Sequence, residues 1–193
     1  KEEASAKAGK IAFCIVVGMG DDIVKGVDLV ERYRRALGQL AKEAHACKAK
    51  SLALDCTSAA ALLNKSPEYV AQQTAITLKI AEYHFDDYIT EKSRKEKSLT
   101  DVMLVTDASH KDEVEQGINE GTIIANAVNQ ARHWVDTPPS NLTPQHLVTK
   151  AQEVAQRNNL KCTAFHEKEI IHMGMGGLAA VSRGSDVDCA LII

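Results

Sequence analysis

EVEQGINEGTIIANAVNQARHWVDTPPSNLTP, residues 113–144, is the stretch that decides how this chain folds. Apolar residues recur in it at steps of three and four, which predicts a helix with one apolar face. These residues are Val114, Ile118, Ile124, Ala125, Val128, Ala131 and Val135. A helix from Lys111 to Asp136 would be about 40 Å long at roughly 1.5 Å per residue, long enough to serve two domains.

The end of this helix is predicted by Pro138 and Pro139, because proline has no N–H and forces the preceding residue out of the helical region. Thr143 then predicts a helix N-cap, with Pro144 at the first helical position. A long helix, a rigid Pro-Pro break and a capped helix together indicate a hinge or a domain boundary. Within the long helix, Gly117 and Gly121 indicate a close contact with another helix or a sheet.

The sequence before the long helix alternates between predicted strands and helices. The predicted strands are 11–17, which reads as buried on both faces, 51–55 and 101–106. One helix is predicted to begin after Asp28, with Glu31 completing a capping box, and another after the cap Ser66, with Pro67 in its first turn. Such alternation implies crossover connections, so we expect an α/β fold with a mainly parallel sheet and helices on both faces.

A second α/β region is predicted to begin after the Pro-Pro break. Its expected elements are a helix over 143–158, a strand over 160–165, a short helix over 167–173, a glycine-rich turn over 174–177 and a strand over 189–193. The sequence thus predicts domains at 10–136 and 137–193, the second one incomplete. The sequence begins just before a strand that reads as central and stops inside the apolar strand at 189–193, so we expect a piece of a longer protein.

Composition limits the classes of partner. The chain has 193 residues, 45% of them hydrophobic, and a formal net charge of −3. We therefore expect no nucleic-acid partner, and no apolar run approaches the roughly 20 residues that span a bilayer. Five scattered cysteines without a C-x-x-C pair indicate reduced thiols in a cytoplasmic protein; they are Cys14, Cys47, Cys56, Cys162 and Cys189.

Two glycine-rich segments are candidates for anion binding. Gly18-Met19-Gly20 resembles a phosphate cradle but lacks the third glycine, so a tight turn between strand and helix is the preferred interpretation. Gly174-Met175-Gly176-Gly177 could form a backbone nest for an anion, although a turn from a helix back into a strand is preferred. The seven histidines match no standard metal-binding spacing, including His166 and His172 beside Glu167 and Glu169.

Four segments resemble the leucyl (cytosol) aminopeptidase family. Residues 131–144, ARHWVDTPPSNLTP, are similar to the family's junction between its N-terminal and catalytic domains, with departures at Trp134 and Asp136. Residues 174–185, GMGGLAAVSRGS, resemble the start of the catalytic domain. Residues 83–88, YHFDDY, and the pair formed by Gly18-Met19-Gly20 and residues 31–38 resemble elements of the N-terminal domain.

The resemblance implies a macro-domain-like N-terminal domain followed by the start of a metallopeptidase domain. It implies a hexameric, cytoplasmic hydrolase that uses two divalent metal ions, zinc or manganese or magnesium, to release N-terminal residues, often leucine, from peptides. The family's metal-ligand segments have no counterpart in this sequence, so no catalytic, cofactor-binding or metal residue is assigned and the chain alone is expected to be inactive. The alternatives are a nucleotide or ADP-ribose-binding module, or a DNA-binding module.

Overall fold

The computed structural model describes residues 14–20, 26–91 and 99–193. The chain divides into two compact units, residues 1–130 and 131–193. No helix among the described residues is long and apolar enough to cross a membrane.

The first unit combines helices with a short sheet. Its elements in chain order are α1 (Leu29–Ala46), β1 (Ser51–Asp55), α2 (Cys56–Leu63), α3 (Pro67–Ala81), β2 (Asp101–Val105) and α4 (Lys111–Asp136), with a 3₁₀ turn at Ala108–His110 before α4. The helix α4 continues past residue 130 into the second unit. The predicted bounds of β1 and α4 are confirmed, as are the caps at Asp28 and Ser66.

The strands β1 and β2 pair in parallel, from Ser51 opposite Asp101 to Asp55 opposite Val105. Leu52 and Leu54 face the core that α1 and α3 form, which is built on Leu37, Leu40, Ala41 and Leu78. On the opposite face Met103 and Val105 are 55% and 56% exposed. The α/β class with a parallel sheet is therefore confirmed for this unit.

The strand predicted over 11–17 is absent from 14–17, the part of it that the structure describes. Residues 14–17 form no strand, and Val16 is 88% exposed, whereas Ile15 and Val17 pack against the α1–α3 core. Residues 11–13 lie outside the described residues. The apolar run had predicted burial on both faces, but alternate side chains of an extended segment point to opposite sides, and here only one side meets a helix.

The short helix α2 was not predicted. It follows β1 without a loop, because the Asp55 side chain accepts a hydrogen bond from the Ser58 amide and caps it. Cys56, Ala60 and Leu63 are buried, at the spacing of one helical face. With Val70, Ala71 and Val114 they form the second core of this unit.

The apolar face of α4 differs from the predicted one. Its buried residues are Val114, Gly117, Gly121 and Ala125, whereas Ile124 and Val128 are 42% and 36% exposed. The glycines allow α4 to approach α3 closely, so the contact line runs through them rather than through the larger apolar side chains. The predicted close contact at the two glycines is confirmed.

The second unit continues from the end of α4. It contains α5 (Pro144–Arg157), β3 (Ala164–His166), α6 (Glu167–His172), α7 (Gly176–Ser182) and β4 (Ala190–Ile192), and β3 pairs with β4 in antiparallel fashion. The predicted cap at Thr143 is confirmed. The expected glycine-rich turn from helix to strand is wrong, because Gly176 and Gly177 begin α7. Of these three glycines, Gly174 alone has a left-handed backbone, with φ of 73°.

Candidate functional site

The carboxyl ends of β1 and β2 form the candidate site of the first unit. Ligands of parallel α/β sheets bind outside these ends. A cavity of about 370 Å³ lies beside them. It is lined by Thr57, Ala60, Ala61, Asn64, Lys65, Ser66, Pro67 and His110.

Hydrogen bonds join the residues that follow the two strands. The Thr57 hydroxyl oxygen accepts a hydrogen bond from the Asp107 amide at 3.3 Å and lies 3.4 Å from the Thr106 hydroxyl. The Ser58 hydroxyl and amide donate to the Asp55 carboxylate at 2.5 and 3.0 Å. These bonds tie the start of α2 to the segment after β2.

The ionisation of Asp55 follows from the same contacts. The Ser58 hydroxyl, and after it the Ser58 amide, stabilises the carboxylate and holds the pKa of Asp55 below its usual range. The carboxylate is therefore charged at neutral pH, with oxygens already engaged in capping α2. This geometry suits a structural cap better than a general base, which needs a higher pKa.

The adjacent thiol is unsuited to nucleophilic chemistry. Cys56 is buried and lies 3.6 Å from the Pro67 carbonyl oxygen, to which its S–H points. Burial, and after it the nearby Asp55 charge, raises the pKa of the Cys56 thiol. A thiol that stays protonated is a poor nucleophile and a poor metal ligand.

The two glycine-rich candidates lie in different units. Gly20 has a left-handed backbone with φ of 76°, and its carbonyl accepts a hydrogen bond from Arg32 at 3.2 Å. Met19 packs against the core that contains Cys56. This conformation fits the preferred interpretation of a tight turn, while residues 21–25 lie outside the described residues. In the second unit, Gly176 and Gly177 are taken up by α7.

No metal centre emerges from the described part of the chain. Within residues 14–20, 26–91 and 99–193, no group of three or more His, Cys, Asp or Glu side chains is arranged to hold a metal ion. Glu169 accepts a hydrogen bond from the His166 amide at 2.8 Å. The His, Cys, Asp and Glu side chains in these ranges therefore do not form a dinuclear metal site.

Comparison with known proteins assigns the family. Residues 129–193 match the cytosol aminopeptidase family, catalytic domain. A probable cytosol aminopeptidase of Chlorobaculum tepidum is 30% identical over 205 residues, which cover 97% of this chain and 41% of the relative. The chain belongs to the cytosol aminopeptidase family. A second relative, from Bacillus subtilis, is 30% identical over 127 residues, 66% of this chain and 25% of its own length.

Solved structures of similar fold support the α/β architecture of this cytosol aminopeptidase family member. The bottromycin maturation enzyme BotP superposes with a TM-score of 0.70 at 24% identity, covering 91% of this chain and 35% of BotP. A mutant of tomato leucine aminopeptidase superposes with a TM-score of 0.58 at 16% identity. The superposition covers 74% of this chain and 28% of the tomato enzyme. The chain thus spans less than half of these proteins. The comparisons do not favour the nucleotide-binding or DNA-binding alternatives.

Sequence reasoning missed the residues at the carboxyl ends of β1 and β2. Asp55 is the last residue of a predicted strand, and no sequence motif includes Thr57, Thr106 or Asp107. The signal that could have found them is Asp55 followed three residues later by Ser58 and the apolar run Ala59–Leu63, which together indicate a capped helix.

Proposed function

We propose that this chain is part of a dinuclear-metal aminopeptidase that releases N-terminal residues, often leucine, from peptides. The observation that carries the proposal is the match of residues 129–193 to the family's catalytic domain. That segment includes the Pro138–Pro139 break and the Thr143 cap at the start of the second unit. The metal ions would be zinc, manganese or magnesium; BotP, a structural neighbour, is known in complex with Mn.

The 193-residue chain alone would have no peptidase activity. Activation of water by metal needs a coordination site with several fixed ligands. The part of the chain that the structure describes offers no such set. Within the assembled enzyme, which we propose to be a cytoplasmic hexamer, the chain would supply an N-terminal domain from 10 to 136 and the first part of the catalytic domain from 137 to 193.

A chimera with an active relative tests this proposal. The segment of a Chlorobaculum tepidum cytosol aminopeptidase that aligns with this chain, 41% of that protein, is replaced by the chain itself. We expect the chimera to hydrolyse a leucyl chromogenic amide with added Mn²⁺, and the isolated chain to release no product. The unmodified relative is the positive control.

Two results would contradict the proposal. Metal-dependent turnover by the purified 193-residue chain would mean that it holds ligands of its own. A chimera that folds, as judged by circular dichroism and cooperative unfolding, yet has no activity would mean that the chain does not serve as aminopeptidase scaffold.

A further inference from the structure

Two cysteines far apart in the sequence line one surface cavity. Cys14 and Cys47 are both free and exposed, and both border a cavity of about 530 Å³. The segment 14–18 forms one wall, and the last turns of α1, with Gln39 and Glu43, form the other. The cavity is therefore a groove between a helix and a segment whose residues alternate between exposed and half-buried, the pattern of an extended chain.

The side chains of the extended segment fix its position beside α1. Ile15 and Val17 pack against the core that contains Leu37, Leu40 and Ala41 of α1. Because alternate residues of an extended segment point to opposite sides, Cys14 lies on the outer side. Its exposure agrees with this alternation.

The distances along the two walls, measured from the same end of the groove, are nearly equal for the two cysteines. Gly18 and Gln39 line both this groove and a second cavity, which Gly20 and Arg32 also line, so they mark a shared starting point. From Gly18 back to Cys14 an extended segment covers about 13 Å, at roughly 3.3 Å per residue. From Gln39 to Cys47 a helix covers about 12 Å, at roughly 1.5 Å per residue. Cys14 and Cys47 therefore lie at corresponding positions on the two walls of the same groove.

We propose that Cys14 and Cys47 form a redox-responsive pair that closes to an intramolecular disulfide in the presence of a small-molecule disulfide such as oxidised glutathione. One thiolate attacks the small disulfide, forms a mixed disulfide and expels one small thiol. The other thiolate then attacks the protein sulfur and expels the second small thiol. The pair loses two electrons and two protons, which the small disulfide takes up as two thiols.

The remaining cysteines are placed differently. Cys56 and Cys189 are buried, and Cys162 is half-buried in the second unit. Accessibility of the thiolate controls exchange with small disulfides. Closure of the pair would fasten segment 14–18 to the end of α1, where Cys47 is the C-cap.

The test uses the whole 193-residue chain, oxidised glutathione and an alkylating quench. We expect an intact mass lower by two hydrogen atoms, the loss of two alkylatable thiols, a peptide in which Cys14 is linked to Cys47, and reversal by reduced glutathione. Cys14→Ser and Cys47→Ser should each abolish the linked species. Cys162→Ser is the matched control and should form it as readily as the unaltered chain does.

The unaltered chain also gives the result that would overturn the proposal. Glutathione adducts on both Cys14 and Cys47 without a linked peptide would show that the two sulfurs do not meet. A linked peptide that joins other cysteines would show that the pairing is wrong. The melting temperature gives an independent readout, because the linked form should melt above the Cys14→Ser variant treated in the same way.

Discussion

Gly117 of α4 lies so close to Glu68 of α3 that a Cβ on the glycine would overlap the Glu68 carbonyl oxygen. One turn further along, a Cβ on Gly121 would lie 2.5 Å from the Gln72 carbonyl oxygen and 2.9 Å from the Ala75 Cβ. Backbone meets backbone at both points, so no rotamer change can relieve the overlap. The two glycines therefore set the separation between α3 and α4.

Gly117→Ala should destabilise the chain despite the better helix propensity of alanine. We expect a loss of about 2 kcal/mol or more in the free energy of unfolding, because α3 and α4 must move apart. The matched control is Gly38→Ala in α1, where no atom lies within 4 Å of the added Cβ. That variant should gain about 0.5–1 kcal/mol. Urea unfolding curves that give both variants the same free energy of unfolding would contradict the close contact assigned to Gly117.

Tyr33 of α1 and Thr74 of α3 form a polar contact in the first unit. Their hydroxyl oxygens are 2.8 Å apart, and the Thr74 hydroxyl also donates to the Val70 carbonyl at 2.7 Å. Since Thr74 has a single hydroxyl proton, Tyr33 is the donor to Thr74. Burial raises the pKa of Tyr33 above its ordinary value of 10.0.

Tyr33→Phe should cost about 1 kcal/mol near neutral pH, because one hydrogen bond is lost while Thr74 keeps its bond to Val70. Above pH 10.0 the unfolded tyrosine ionises first and the folded one keeps its proton, so the advantage of the unaltered chain shrinks as the pH rises toward the folded-state pKa. Urea unfolding at several pH values measures this difference. Tyr88→Phe, at a residue that is 56% exposed, is the control and should leave the free energy of unfolding near neutral pH unchanged.

The sequence predicted those parts of the fold that depend on local signals. The Pro138–Pro139 break and the apolar period fixed the bounds of α4, and short β-branched runs located β2. The rotation of α4 against α3 could not be predicted, because it depends on where two glycines meet another helix. The helix α2 could not be predicted because it follows β1 without a loop: Asp55 ends the strand and is also the N-cap of the helix.

The candidate site was less accessible to sequence reasoning than the fold. Thr57 and Asp107 meet only because β1 and β2 are parallel neighbours in register, which brings their carboxyl ends together. The family resemblance was carried by turn and cap residues such as Pro139 and Thr143, whose backbone requirements are local. Those residues set the path of the backbone and do not take part in chemistry. The resemblance therefore identifies the family but no catalytic residue in this chain.

The lowered pKa of Asp55 predicts acid sensitivity at the start of α2. A carboxylate whose folded-state pKa lies below the ordinary 3.8 contributes stability that is present above pH 3.8 and is lost as the pH falls through the folded-state value. Asp55→Asn keeps an N-cap acceptor but cannot ionise. The stability difference between the unaltered chain and Asp55→Asn should therefore vanish in acid.

The measurement for Asp55 is urea unfolding at several pH values between neutral and strongly acidic. Asp55→Ala, which removes the cap itself, should be less stable than Asp55→Asn across the whole range. A difference between the unaltered chain and Asp55→Asn that is independent of pH would mean that the Ser58 bonds do not favour the charged carboxylate.

Thr143 should set the stability of α5 in the second unit. Its hydroxyl accepts a hydrogen bond from the His146 amide at 3.4 Å and lies 3.0 Å from His146 Nδ1, while the Thr143 amide donates to the same nitrogen at 3.3 Å. Thr143→Ala removes the cap and should cost about 1 kcal/mol, whereas Thr143→Ser should restore most of it. Thr149→Ala is the control, since the exposed Thr149 hydroxyl donates to the Gln145 carbonyl one turn earlier and caps no helix end.

Amide hydrogen exchange is the suitable measurement for this cap, because it reports the opening of individual amides at the start of α5. In Thr143→Ala the His146 amide loses its acceptor, so the first turn of α5 should exchange about fivefold faster, the factor that about 1 kcal/mol gives. The amides of α1 should be unchanged. Equal exchange in Thr143→Ala and Thr149→Ala would show that Pro144 and the Pro138–Pro139 break hold the start of α5 without the threonine.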